Sequence, residues 1–272
     1  KKVIMIMGFA GTMRMFDKTV TALLEKDKNL SILRLDNRGS GKSKGTLVKQ
    51  TTTMLGKDCF DLLNHIQWRD KINVVGVSLG GMIAQELALF LLAKNRLASL
   101  YLSVTSRKRY PIQIPLSPGF YKLAFGLMGV DKISKEKMLP DALKIGHDEE
   151  YLNSIDEETG LEKREIVGKE FLENWDKHMS WNLDTISAQS CAAGTHKFDD
   201  WKCDKLKESG VPIKCLIATK DKAMPTSGQY ELAKKLNAST IIFEGGHLAA
   251  TKDPERYYNS ILDLINSGIV GK

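Results

Sequence analysis

The sequence is poor in cysteine, and its four cysteines are not spaced as metal ligands or as a redox pair. No Cys-x-x-Cys pair is present, and no histidine stands at the spacing of a zinc ligand. We therefore predict reduced thiols, no metal site and no cofactor, which is typical of the cytoplasm or another reducing compartment. The four residues are Cys59, Cys191, Cys203 and Cys215.

Long apolar runs are missing as well, so the sequence predicts no transmembrane segment, and its first residues lack a signal-peptide pattern. Motifs of nucleic-acid binding are also missing, and basic residues are interspersed with acidic ones. The formal net charge is +7. This charge leaves peripheral contact with an anionic membrane open, although lysine-rich solvated helix faces explain it equally. The sequence does not indicate an oligomeric state.

What the chain does contain is a short motif between a predicted strand and a predicted helix. Residues 72–77 are apolar and end in Gly-x-Ser-x-Gly, centred on Ser78, and a helical pattern follows over residues 81–94. Strand, sharp turn and helix are the context of a nucleophile elbow, which exposes a serine hydroxyl above a sheet. Gly76 and Gly80 are explained by the same geometry, because a Cβ at either position would collide with the neighbouring strand or helix.

Strands and helices alternate on both sides of this motif, which predicts an α/β fold with a doubly wound, mostly parallel sheet. In such sheets the ligand site lies beyond the carboxyl ends of the strands. Predicted strands cover residues 3–7, 31–35, 72–77, 97–104, 213–219 and 240–243, and predicted helices lie near residues 16–24, 54–68, 81–94, 226–236 and 254–266.

The alternation stops between residues 107 and 210, which contain helical and loop patterns without a strong strand. We predict that residues 1–106 and 211–272 form the core domain and that 107–210 form an inserted helical cap. Its helices are predicted at 162–181 and 184–201, the second broken near Gly194. Several apolar residues of this insertion either line a lipid-accepting pocket or form the cap's own core: Phe120, Tyr121, Leu123, Phe125, Leu127 and Met128.

A serine nucleophile needs a base, and the base needs an acid that holds its tautomer. Asp221 follows the strand that ends near residue 219, and His247 follows the last strand on a Gly-Gly loop. The order Ser78, Asp221, His247 is that of α/β-hydrolases. The end of the 97–104 strand offers no carboxylate, which leaves Asp221 as the acid. We interpret the other histidines as surface or cap residues: His65, His147, His178 and His196.

Four motifs, in their order along the chain, resemble those of the α/β-hydrolase fold superfamily of esterases, lipases and C–C hydrolases. They are residues 7–11 (Met-Gly-Phe-Ala-Gly), residues 36–43 (Asp-Asn-Arg-Gly-Ser-Gly-Lys-Ser), the elbow, and Gly-Gly-His with the later Asp-Pro-Glu of residues 253–255. The resemblance implies that the backbone N–H groups of Phe9 and Leu79 form the oxyanion hole. It also implies that Asp36 and Arg38 stabilise loops rather than take part in chemistry.

The chain departs from the family pattern at three points. Met7 replaces a histidine, which removes a polar side chain that stabilises the oxyanion loop, and Thr219 stands where a glycine often precedes the acid. Most members also have two antiparallel strands before this loop, so the chain is either a short variant or cut at its N-terminus.

The resemblance implies a cap-bearing serine hydrolase, with a carboxylic ester or thioester of a small molecule as the first expectation. Serine at the elbow argues against haloalkane dehalogenases and epoxide hydrolases, which use aspartate there. Three alternatives stay open: an acyltransferase with the same triad, an amidase or peptidase, and a non-catalytic ligand-binding member of the fold.

Overall fold

The computed structural model describes residues 1–45, 49–108, 134–180 and 183–267. Six strands lie in these ranges: β1 (Lys2–Ile6), β2 (Ser31–Leu35), β3 (Ile72–Val77), β4 (Leu97–Ser103), β5 (Ile213–Ala218) and β6 (Ser239–Phe243). They form one sheet in the order β2-β1-β3-β4-β5-β6, and all five pairings are parallel. The predicted α/β fold is therefore confirmed.

Ten helices accompany the sheet in the described residues. They are α1 (Asp17–Lys26), α2 (Thr52–His65), α3 (Leu79–Leu92), α4 (Lys135–Gly146), α5 (Glu149–Leu152), α6 (Lys163–His178), α7 (Leu183–Thr195), α8 (Asp200–Glu208), α9 (Thr226–Leu236) and α10 (Pro254–Ser267). Local chemistry explains several ends. The Thr51 hydroxyl accepts a hydrogen bond from Met54 N–H at the start of α2, and α9 ends at Asn237 in the left-handed conformation.

Two hydrophobic clusters cover the two faces of the sheet. In β1, Ile4 and Ile6 belong to one cluster and Val3 and Met5 to the other, because successive side chains of a strand point to opposite faces. The first cluster contains residues of α2, α3, α8 and α9, and the second contains residues of α1 and α10. Helices therefore pack on both faces, as a doubly wound sheet requires.

The strand order places a topological switch between β1 and β3. From β1 the chain passes to β2 at one edge and then returns to add β3 on the other side of β1. In doubly wound sheets, ligands bind at such a switch, beyond the carboxyl ends of the strands. Ser78 directly follows β3, so the switch lies where the sequence predicts the nucleophile.

The described part of the predicted insertion is helical, with α4 to α8 and only isolated β-bridges. The helix predicted to reach residue 181 ends at His178, and the predicted break near Gly194 lies after Thr195. Phe198, Cys203 and Leu206 pack in the core cluster beside the sheet. The six apolar residues between Phe120 and Met128 lie outside the described residues.

None of the helices in the described ranges combines the length and the apolar content needed to cross a membrane. The four cysteines all lie in these ranges and are free thiols. Burial raises the pKa of Cys59 and of Cys215 to about 12, so neither thiol ionises near neutral pH.

Substitution of Leu87 by alanine is expected to destabilise the fold strongly. Leu87 lies in α3, is fully buried, and belongs to the cluster between the helices and the sheet. Large-to-small substitutions at such sites cost about 2–5 kcal/mol, because a cavity remains. The same substitution at Leu161, which is 47% exposed, is expected to change stability by less than about 0.5 kcal/mol. Urea denaturation of both variants measures the difference, and equal losses would contradict the assigned core.

Candidate active site

Ser78 occupies the turn between β3 and α3 in a conformation that non-glycine residues rarely adopt. Its φ is 57° and its ψ is −121°. Such a backbone stores roughly 1–3 kcal/mol of strain and persists only where the surrounding structure fixes it. Two glycines make this geometry accessible. A Cβ added to Gly76 would lie 2.4 Å from Gly80 O, and a Cβ added to Gly80 would lie 2.1 Å from Ile6 O.

The neighbouring strand β4 also fixes the serine backbone. Ser78 N–H donates to Ser103 O at 2.9 Å, and the Thr105 hydroxyl donates to Ser78 O at 2.8 Å. Thr105 is thus a supporting residue of the elbow. In the sequence, Thr105 lies just after the predicted strand 97–104, and the only feature noted there was the lack of a carboxylate.

His247 and Asp221 are brought together across the ends of β5 and β6. The ring Nδ1 lies 2.7 Å from Asp221 Oδ2. The Asp221 side chain is fully buried, and that of His247 is 12% exposed. A carboxylate can only accept at this contact, so Nδ1 carries the hydrogen and Nε2 is left as the basic nitrogen.

Asp221 is itself held by three further donors. Its Oδ1 accepts the N–H groups of Ala223 and Met224 at 3.0 and 2.9 Å, and its Oδ2 accepts Gln229 Nε2 at 3.0 Å. These bonds compensate the burial of the carboxylate. Gln229 Oε1 also accepts Ala218 N–H, which ties the acid loop to the end of β5. Nothing in the sequence distinguishes Gln229 from other polar residues of an amphipathic helix.

The pKa of His247 is the net result of two opposing effects. Burial lowers it, because the protein interior disfavours the imidazolium ion, whereas the charge and the hydrogen bond of Asp221 raise it. The sum raises the pKa above the ordinary value of 6.5. The pair therefore suits a base that is neutral above this pKa and is stabilised when it takes up a proton.

Ser78 Oγ makes no hydrogen bond within the described residues, so the contact between this hydroxyl and His247 is not formed in the structure. The loop after β1, in contrast, lies directly against the serine. A Cβ added at Gly8 would be 2.9 Å from Ser78 Cβ and 3.5 Å from its Oγ. In enzymes generally, catalytic hydrogen bonds that are long in the free state often shorten when substrate binds.

The two backbone groups that the sequence predicts for an oxyanion hole flank this serine. Leu79 is the first residue of α3, and the amides of a first helical turn have no acceptor within the helix. They also carry the positive end of the helix dipole, which favours a developing negative charge. Phe9 follows Gly8 in the loop that contacts Ser78.

Asp36 and Arg38 stabilise loops, as predicted. The carboxylate of Asp36 accepts Met13 N–H at 2.7 Å and Lys42 N–H at 3.0 Å. Arg38 forms a two-pronged ion pair with Asp58 of α2. In the described residues, no three His, Cys, Asp or Glu side chains are grouped so that they could hold a metal ion.

The loop that carries His247 is hydrogen-bonded to the end of α4. His247 N–H donates to Ile145 O at 3.2 Å, and Leu248 N–H donates to Gly146 O at 2.7 Å. An ion pair of 2.6 Å between Lys252 and Asp148 strengthens the contact. The sequence motifs give no sign of this contact, since it joins the predicted cap to the His247 loop across about a hundred residues.

Two of the other histidines are buried rather than exposed. His147 stacks on Tyr151, and burial together with Lys252 lowers its pKa to about 4. The His196 ring lies 2.8 Å from the Thr52 hydroxyl, and burial lowers its pKa to about 3. Both belong to the predicted insertion, and both are neutral at physiological pH. His65 is exposed and His178 is half-buried.

Replacing Asp221 by asparagine is expected to lower the pKa of His247, because burial then acts without the opposing charge. The wild-type imidazole should titrate above pH 6.5, and the imidazole of Asp221→Asn should titrate below that value. Because the pKa of His247 is raised in the folded protein, protonated His247 stabilises the fold at low pH. This contribution is lost as the pH rises through that pKa. NMR titration of the imidazole signals measures the shift, with His247→Gln for assignment. Asp70→Asn, an exposed and remote substitution, is the control. Equal pKa values of His247 in the wild type, Asp221→Asn and Asp70→Asn would contradict the contact between His247 and Asp221.

Comparison with known proteins identifies the fold. A family model described as alpha/beta hydrolase fold matches residues 1–126. A hydrolase from Pseudomonas aeruginosa is 21% identical with a TM-score of 0.74, and the match covers 97% of this chain and 89% of the hydrolase. An esterase from Thermogutta terrifontis is 19% identical with a TM-score of 0.74, covering 98% and 90%. An enol-lactonase from Burkholderia xenovorans is 16% identical with a TM-score of 0.74, covering 97% and 91%. The chain therefore has the α/β-hydrolase fold.

Proposed function

We propose that the protein is a serine hydrolase that cleaves a carboxylic ester or thioester of a small-molecule substrate through an acyl-enzyme. The observation that carries the proposal is the hydrogen bond between His247 and Asp221 at the sheet edge where Ser78 stands in its strained turn. An activated serine, an oriented base and a buried acid are the components that acyl transfer needs.

In the first half of the reaction, Ser78 Oγ attacks the acyl carbonyl carbon while its proton passes to His247 Nε2. The negative charge of Asp221 stabilises the imidazolium ion that results. The N–H groups of Phe9 and Leu79 donate to the oxyanion of the tetrahedral intermediate. When the intermediate collapses, His247 gives its proton to the leaving alcohol or thiol, and the acyl group remains on Ser78.

In the second half, a water molecule replaces the leaving group. His247 Nε2 takes a proton from this water, whose oxygen attacks the acyl carbon. The same two N–H groups hold the second oxyanion. Its collapse returns the proton to Ser78 Oγ and releases a carboxylic acid, so the free enzyme is restored.

Residues 107–210 are proposed to cap this site on the core formed by 1–106 and 211–272. The hydrogen bonds from the His247 loop to Ile145 and Gly146 support this division, because they bring α4 to the catalytic edge. Two structurally similar proteins are named an esterase and an enol-lactonase, and a lactone is a cyclic ester. Their names favour an oxygen ester over an amide.

Three alternatives use the same residues differently. An acyltransferase would pass the acyl group to an acceptor other than water, so product analysis with added alcohols separates it from a hydrolase. An amidase or peptidase would cleave an amide with comparable efficiency. A non-catalytic ligand-binding protein would leave the serine unreactive.

Replacement of Ser78 by alanine is expected to abolish labelling by a fluorophosphonate probe and to lower ester hydrolysis by at least about a thousandfold, since triad residues act as a unit. Labelling should require the folded chain and disappear after heat denaturation. Hydrolysis of p-nitrophenyl esters of increasing chain length then measures which acyl groups the pocket accepts.

The control is Ser267→Ala. Its hydroxyl donates to Leu264 O at the end of α10, and its replacement should leave labelling unchanged. A folded wild-type protein that neither reacts with the probe nor cleaves any ester would overturn the serine-hydrolase mechanism.

A further inference from the structure

The loop after β1 forms a tight turn with an unfavourable residue in it. Gly11 N–H donates to Gly8 O at 3.2 Å, which closes the turn over residues 8–11. Ala10, its third residue, has a φ of +55°. A positive φ at the third position is the mark of a type II turn, where glycine is the usual residue. The turn therefore needs outside contacts that keep alanine in this conformation.

Those contacts come from the predicted cap. Ala10 N–H donates to Gln189 Oε1 at 2.7 Å, and Ala10 O accepts Ser180 N–H at 2.7 Å. Both backbone groups of this one residue are thus bound by a segment that lies about 170 residues further along the chain. Gln189 belongs to α7 and is fully buried.

The nitrogen of the Gln189 side-chain amide is also hydrogen-bonded. Gln189 Nε2 donates to Ser40 Oγ at 2.7 Å. Because the Ala10 N–H can only donate, it requires the oxygen of the amide, and the nitrogen must then face Ser40. The side chain is therefore held in one orientation by two partners on two loops of the core.

This geometry fixes the plane of a single peptide group. The peptide between Phe9 and Ala10 is planar, so binding its N–H also sets the direction of its C=O. A flip of this peptide would convert the type II turn into a type I turn and would return Ala10 to a negative φ. Gln189 Oε1 opposes that flip, since the flipped N–H would leave a buried carbonyl oxygen without its donor.

We propose that Gln189 is a positioning residue for the oxyanion loop: by holding Ala10 it fixes the turn over residues 8–11, and this turn carries Phe9 N–H, in the adjoining Gly8–Phe9 peptide, toward the reacting carbonyl. For its effect on catalysis this inference rests on the proposed hydrolase function.

The first test compares Gln189→Met with a matched variant of the same helix. Methionine has a similar size but forms neither hydrogen bond. Thr185 is also fully buried in α7 and donates to Gly39 O at 2.6 Å, so Thr185→Val removes a bond to the same region without affecting Ala10. Removal of an oxyanion donor costs about 10²–10³ in kcat, and we expect a misplaced donor to cost about 10–100.

The expected result for Gln189→Met is this loss in kcat for a p-nitrophenyl ester, with KM changed less than about threefold because only the transition state needs the donor. Thr185→Val should keep kcat within about threefold of the wild type, although it loses a buried hydrogen bond as well. Equal losses of kcat in both variants, or a change confined to KM in Gln189→Met, would overturn the positioning role.

The second test does not depend on activity. Amide hydrogen exchange, followed by NMR on the Ser78→Ala variant, should find Ala10 N–H protected. When Gln189→Met is combined with Ser78→Ala, exchange of Ala10 N–H should be at least about tenfold faster. Thr185→Val should leave it unchanged. An inactive wild-type protein with this exchange pattern would refute the hydrolase function alone, whereas unchanged Ala10 exchange in Gln189→Met would refute the inference itself.

If Gln189→Met does not fold, Ser40→Ala replaces it. That variant keeps the acceptor for Ala10 but removes the group that orients the amide, so a smaller change in both readouts is expected. Unchanged exchange at Ala10 together with unchanged kcat in Ser40→Ala would count against the proposal.

Discussion

The parallel pairing of β1 with β3 is the interaction on which the candidate site depends. Its register places Ile6 beside Gly76, so both strands end at the same level and their loops meet. Gly8 then lies against Ser78, and Gly80 packs onto Ile6 O. Because an added Cβ would lie only 2.1 Å from that oxygen, the first turn of α3 can approach the end of β1 this closely only without a side chain at this point. The nucleophile turn and the oxyanion loop are thus parts of a single packing arrangement.

Most of the fold was predictable from the sequence, because the signals are local. The apolar run of residues 72–77, the glycines around Ser78 and the proline that starts α10 each act over a few residues. The observed strands accordingly match the predicted ones to within one residue. The contact of His247 with Asp221 followed from chain order, since loops after neighbouring parallel strands meet at one edge. The catalytic roles of Ser78 and of the Phe9 and Leu79 N–H groups stay predictions.

The supporting residues were not predictable, for a physical reason. Thr105, Gln189 and Gln229 act through side-chain bonds to backbone groups of other segments. Such bonds depend on tertiary packing, and a buried polar residue in a helix has no periodicity that sets it apart. The burial of His196 was hidden likewise, because its hydrogen-bond partner Thr52 is distant in the chain. Sequence patterns thus located the candidate reacting groups, whereas the contacts that orient them required three-dimensional structure.

The backbone bonds between α4 and the His247 loop have a mechanical consequence. Ile145 O and Gly146 O accept the N–H groups of His247 and Leu248, so the end of α4 cannot shift away from the sheet without breaking both bonds or carrying the loop along. If the loop moves with the helix, the distance between the imidazole and Asp221 Oδ2, now 2.7 Å, changes. Displacement of this helix and the basicity of His247 are therefore linked variables. A molecule that wedges the two apart would alter proton affinity without contacting the ring.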